Sequence, residues 1–123
     1  MVSKTTHPIE GSWQPFKAEL AGEAAPAIAL TKLCLIINAG TYAVYFGNEV
    51  SDSGSYVLGV QSDHQIITLS SLHGTNAGRT IPSIYQLVGD RLRICFGLDG
   101  AAPTDFAAPV GSPFYLVSYR RKT

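Results

Sequence analysis

The stretch Ile84-Tyr85-Gln86-Leu87-Val88-Gly89-Asp90-Arg91-Leu92-Arg93-Ile94-Cys95-Phe96 decides the fold. On its first limb Ile84, Gln86 and Val88 alternate with Tyr85 and Leu87; on its second, Leu92, Ile94 and Phe96 alternate with Arg91, Arg93 and Cys95. A period of two is the mark of a strand, because successive side chains leave opposite faces of the pleat. Gly89-Asp90 supplies the turn between the limbs, so the segment reads as a β-hairpin.

The same pattern extends upstream. Leu33, Leu35 and Ile37 share one phase, Asn38-Ala39-Gly40 makes a turn, and Tyr42, Val44 and Phe46 share the next phase. A strand over about 54–61 carries Tyr56, Leu58 and Val60, and one over about 64–72 sets Ile66, Thr68 and Ser70 against Ile67 and Leu69, with Ser62 and Asp63 as the turn between them. Residues 72–80 lack apolar periodicity and read as a surface loop, after which a strand resumes at Ile81. Residues 97–113, rich in Gly, Ala and Pro, form a long irregular connection to a terminal strand over 114–120. At the front, residues 11–20 make a first strand with an irregularity near Pro15. The alanines that follow permit one short helical turn, with Pro26 suited to its start. About eight strands with mostly short connections predict an all-β fold, a closed antiparallel up-and-down barrel, since closure removes unpaired edges.

Composition narrows the function classes. A chain of 123 residues makes one domain over 1–123, with residues 1–8 expected to be flexible. Hydrophobic residues at 46% against 15% charged argue for a packed core rather than disorder. Nine basic residues balance nine acidic ones, so no net field gathers phosphates, and nucleic acid is not an expected partner. No apolar run is long enough for a membrane span, and the start lacks the apolar stretch of a signal peptide. The expected location is the cytoplasm, or outside the cell if a leader has been removed. Cys34 and Cys95 fall in separate strands and read as free, buried thiols, a single bridge being the other arrangement open to them.

With the strands laid out, Gly11-Ser12-Trp13 and Tyr119-Arg120-Arg121 resemble the Gly-x-Trp and closing arginine of the lipocalin and calycin group. The string from Ile84 to Cys95, followed by Pro103-Thr104-Asp105-Phe106 and Gly111-Ser112, is similar to an uncharacterised bacterial lipocalin-like domain family best known from planctomycetes. The likeness is strong over residues 84–121 and at 9–13. It departs at Ala101 and Ala102, where family members commonly carry a basic residue, so no anion site is borrowed from there. What the resemblance implies is a lipocalin-like barrel whose Trp13 covers one end under an arginine, Arg120 or Arg121, by a cation–π contact of about 0.5–2 kcal/mol. It implies no catalytic residue.

For ligand binding, the aromatic phase stands out: Tyr42, Phe46, Tyr56, Tyr85 and Phe96, together with Phe106 dipping from the 97–113 connection into the barrel end. Tyr45, Phe114 and Tyr115 belong to the same wider set. An eight-stranded barrel is either just filled by side chains or holds one small ligand, and the sequence allows both. The expected mouth is the end bordered by the 72–80 and 97–113 loops. His7, His64 and His73 read as solvated, and Arg91 and Arg93 as facing solvent. No metal-ligand spacing and no Gly-x-Ser-x-Gly elbow is present, so neither enzyme activity nor a cofactor is expected. The reading is a non-catalytic barrel binding a small, largely apolar ligand. The alternative is a protein–protein interaction module with a filled barrel.

Overall fold

The computed structural model describes residues 7–61 and 63–122. Its strands are β1 (Gly11–Leu20), β2 (Glu23–Ala24), β3 (Leu33–Asn38), β4 (Thr41–Phe46), β5 (Glu49–Gln61), β6 (His64–Gly74), β7 (Thr80–Val88), β8 (Arg91–Gly97) and β9 (Phe114–Arg121). One helix, α1 (Ala27–Leu30), precedes β3. From β3 to β9 each strand pairs antiparallel with the next, and β1 pairs with β3 on one side and β9 on the other. The result is a closed eight-stranded up-and-down barrel, with the two-residue β2 as an appendage to the end of β1.

The hairpin of residues 84–96 has the register its alternation predicts: Leu87 faces Leu92 and Tyr85 faces Ile94. Gly89 at the first turn position has φ 58°, the type II′ pattern that matches the twist of the flanking strands. In the β3–β4 turn Ala39 and Gly40 both have positive φ (48° and 87°), the type I′ pattern. The Ser62 half of the expected 62–63 turn, and most of the stretch expected to be flexible at 1–8, lie outside the described residues.

Two elements run further than the apolar pattern shows. β5 begins at Glu49, not near 54, and β6 continues to Gly74, which shortens the expected 72–80 loop. Most of the added residues, Glu49, Ser51, Asp52, Ser53 and His73, are polar. Backbone pairing needs no apolar side chain, so the ladders continue where the hydrophobic signal stops.

Inside, Trp13, Ile37, Ile67, Ile81, Leu92 and Ile94 are fully buried. Each such aliphatic side chain contributes about 1.5–3 kcal/mol through the surface it removes from water. β1 leaves β3 after Trp13, with a bulge between Pro15 and Lys17 as it follows β9. Pro15 has no N–H to donate to a ladder, which suits it to that break. The seam is filled by α1, whose Leu30 is buried and whose Leu30 carbonyl accepts a hydrogen bond from Gln14 Nε2 at 2.8 Å.

The 97–113 connection departs from expectation. Its strand phase leaves an apolar row on the outer wall, where Ile66, Ile84, Cys95 and Leu116 stand opposite one another across four strands. The connection folds back over that row, burying Ile84 and Cys95 together with its own Ala108. Phe106 therefore lies on the outside and does not dip into the barrel end: Arg93 stacks on its ring at 4.1 Å and His64 meets it edge-on at 5.6 Å. His64 also bonds the Thr104 carbonyl at 2.9 Å, so it clasps the connection instead of standing free in solvent. Covering an apolar row is worth more than exposing it while the mouth is filled, which is why the segment packs as a strap.

Candidate functional site

The two ends of the barrel differ. At the end formed by the β3–β4 and β7–β8 turns, Trp13 is fully buried and donates from Nε1 to the Ile9 carbonyl at 2.8 Å. Arg121 lies over its ring at 4.3 Å, donates to the carbonyls of Glu10 and Pro8 at 2.8 Å each, and pairs with Asp90 at 3.1 Å. Arg120, the neighbouring candidate for this role, points to the outer wall and stacks on Phe16 at 4.9 Å. Alternation along β9 sends adjacent residues to opposite faces, so only one of the two arginines reaches Trp13.

The opposite end is open. A cavity of about 210 Å³ enters the barrel there, walled by apolar side chains that include Leu35, Val44, Leu69, Ile81, Phe96 and Val117. Thr75 and Asn76 of the β6–β7 loop and Leu98 of the strap line it too, so both expected loops border this mouth, the strap through Leu98.

One carboxylate faces this space. Asp52 Oδ1 accepts from Ser71 Oγ at 2.5 Å and from Tyr42 Oη at 3.3 Å, while Oδ2 accepts from Asn76 Nδ2 at 3.3 Å. Two irregularities in the ladders lie next to it. Pairing skips Ser51 between Val44↔Asp52 and Tyr45↔Val50, and skips Leu72 between Gly54↔Ser71 and Ser53↔His73. Bulges of this kind bend the strands just beyond Asp52 and Ser71. Gly54 makes the close approach feasible: a Cβ there would lie 2.0 Å from the Ser70 carbonyl oxygen. Tyr42 is pushed up to about 12, chiefly by burial and further by the negative charge of Asp52, against the Ser71 hydrogen bond. Burial also raises Tyr115 on the cavity wall, and raises Tyr119 well above the ordinary tyrosine value.

Of the residues expected to bind ligand, Tyr42 and Phe96 line the cavity, Phe96 stacking with Tyr115 at 5.8 Å between centroids. Phe46 stands half exposed, with Lys32 Nζ 5.9 Å above its ring. Tyr56 and Tyr85 are buried in the barrel core, and Phe106 is on the outer wall. The polar residues of the site, Asp52, Ser71 and Asn76, are absent from the sequence reading. A signal existed for two of them. Asp52 shares the even phase of Tyr56 and Leu58, and Ser71 shares the odd phase of Ile67 and Leu69, so extending both strands in register turns them inward.

Cys34, which lines the cavity, and Cys95, on the outer wall, are free thiols. Burial under the strap raises Cys95, whose Sγ lies 3.6 Å from the Ala107 carbonyl. Among the described residues no cluster of His, Cys, Asp or Glu is arranged to hold a metal ion, and no helix is long and apolar enough to cross a membrane. No family model matches the chain, and neither a curated protein nor a solved structure does.

Proposed function

We propose that the protein is a non-catalytic, lipocalin-like barrel that binds one small, largely apolar molecule through the end opposite Trp13. The observation that carries this reading is the cavity of about 210 Å³, apolar on most of its wall and open at the end bordered by Thr75, Asn76 and Leu98. Pockets that bind small molecules share that character, an apolar lining with few well-placed polar groups. An apolar cavity of about 150 Å³ is enough for a benzene ring, so this one suits a ligand of about eight non-hydrogen atoms. The same scaling disfavours a long lipid chain held within the walls. The Gly11-Ser12-Trp13 motif, the Arg121 stack and the 84–112 string support the likeness to the planctomycete-type lipocalin-like domains.

Titration of the ¹⁵N-labelled chain with toluene tests the reading. Saturable shifts concentrated at Leu35, Val44, Leu69 and Phe96 are expected, and Leu69→Trp should abolish them by filling the space. Absence of shifts at those residues would favour the interaction module instead.

A further inference from the structure

Resting on that reading of the mouth, we propose that the ligand is a cation: a small primary alkyl- or arylalkyl-ammonium ion whose charged head meets Asp52 while its apolar body fills the cavity. The carboxylate lines a cavity that is mostly apolar and holds no other charged side chain, and among the described residues the one ion pair is Arg121–Asp90, at the other end. The negative charge of Asp52 thus has hydrogen-bond donors but no cation. Its acceptor capacity is also incomplete. A carboxylate offers about four lone-pair sites, two on each oxygen. Oδ1 is occupied by Ser71 and Tyr42, whereas Oδ2 receives Asn76 alone, which leaves one acceptor position. An ammonium group supplies both missing features, a donor and a positive charge, and charge-assisted bonds of this type are about twice as strong as neutral ones.

The surrounding chemistry agrees. Phe96 and Tyr115, stacked on each other, add aromatic surface to the same cavity for the apolar body of the ligand. Lys32, the cation placed over Phe46, engages that ring and makes no ion pair with Asp52. An anionic ligand would set its charge against that of Asp52, and a neutral one would gain nothing from it. Asp52 stands at the inward phase of β5, where Tyr56 and Leu58 carry apolar bulk, and the glycine at 54 allows the close approach of β6 beside it.

The test uses three probes of matched length on the full chain: hexylammonium, 1-hexanol and hexanoate, titrated at neutral pH and followed by ¹H–¹⁵N spectra. Hexylammonium should bind at least ten-fold more tightly than hexanol, and hexanoate more weakly than either. Asp52→Asn should bring hexylammonium to within two-fold of hexanol while hexanol is unchanged. On the unmodified chain, raising salt to 1 M should weaken hexylammonium several-fold and leave hexanol alone, which keeps the test decisive if the variant folds poorly. Equal affinity for hexylammonium and hexanol would overturn the cationic assignment and leave the pocket standing. If none of the three probes shifted residues of the mouth, the pocket reading itself would fall.

Discussion

The two ends of the barrel are built from the same strands with the same alternation, yet one is closed and the other open. At the closed end the large side chain at the centre, Trp13, has its single N–H satisfied by Ile9, and the arginine over it spends its donors on the Glu10 and Pro8 carbonyls. Apart from the exposed Arg121–Asp90 pair, the polar groups there are bonded to the chain's own backbone. At the open end the polar groups converge on a carboxylate that faces the cavity, and the neighbouring strands are bent by bulges at Ser51 and Leu72. The difference lies in where hydrogen bonding terminates. A buried network that closes on backbone makes a plug, whereas one that ends on a charge facing open space makes a receptor for the opposite charge.

The contrast can be broken most severely at Trp13. Trp13→Ala should cost about 3–5 kcal/mol in denaturant unfolding, because a fully buried aromatic is replaced by a void that the surrounding strands cannot collapse into. Arg121→Ala should cost about 1–2 kcal/mol, the cation–π contact plus two bonds to backbone carbonyls, with little from the exposed Asp90 pair. Lysine at 121 should recover only part of it, since one ammonium cannot reproduce the guanidinium's fan of donors. Asp52→Ala, at the other end, should cost about 1 kcal/mol or less, because Ser71, Tyr42 and Asn76 retain access to the open cavity and to water. A loss at Asp52 as large as that at Trp13 would erase the distinction between plug and mouth.

Two smaller effects sharpen the comparison. Phe106→Ala should loosen the strap and speed labelling of Cys95 by a thiol reagent several-fold, with a stability change under about 1 kcal/mol, leaving mouth binding intact. Labelling of Cys95 as fast as that of a free thiol in the unaltered chain would contradict the strap. The last concerns alkali. Tyr42 holds its proton up to about 12 in the folded chain, against an ordinary value of 10.0, so the stability this contributes is complete below pH 10 and declines as pH rises from about 10 through 12. Tyr119, also raised by burial, adds to the same loss. Tyr42→Phe should flatten the alkaline slope of unfolding free energy; an unchanged slope would show that this hydroxyl is not shielded.

The strands were legible wherever one face is apolar. The 84–96 hairpin, the β3–β4 pair and the short helix after the first strand all follow from local alternation and turn chemistry, interactions that neighbours along the chain settle among themselves. The choice between Arg120 and Arg121 needed only the phase of β9 relative to Trp13, which is a matter of pairing register between the first and last strands. The strap on the outer wall was not legible, because the apolar row it covers is assembled from four strands and no single one of them shows it. The polar cluster at the mouth was only half legible: Asp52 and Ser71 follow the inward phase of their strands, but their meeting with each other and with Asn76 of the β6–β7 loop is set by cross-strand pairing. By itself, then, the sequence determined a closed barrel and its apolar lining, since those depend on periodicity. The sealed Trp13 end and the loop-bordered mouth were expected from the sequence; only the tertiary structure decided which charge faces the opening and where the 97–113 strap lies, because each of these is a relation between residues far apart in the chain.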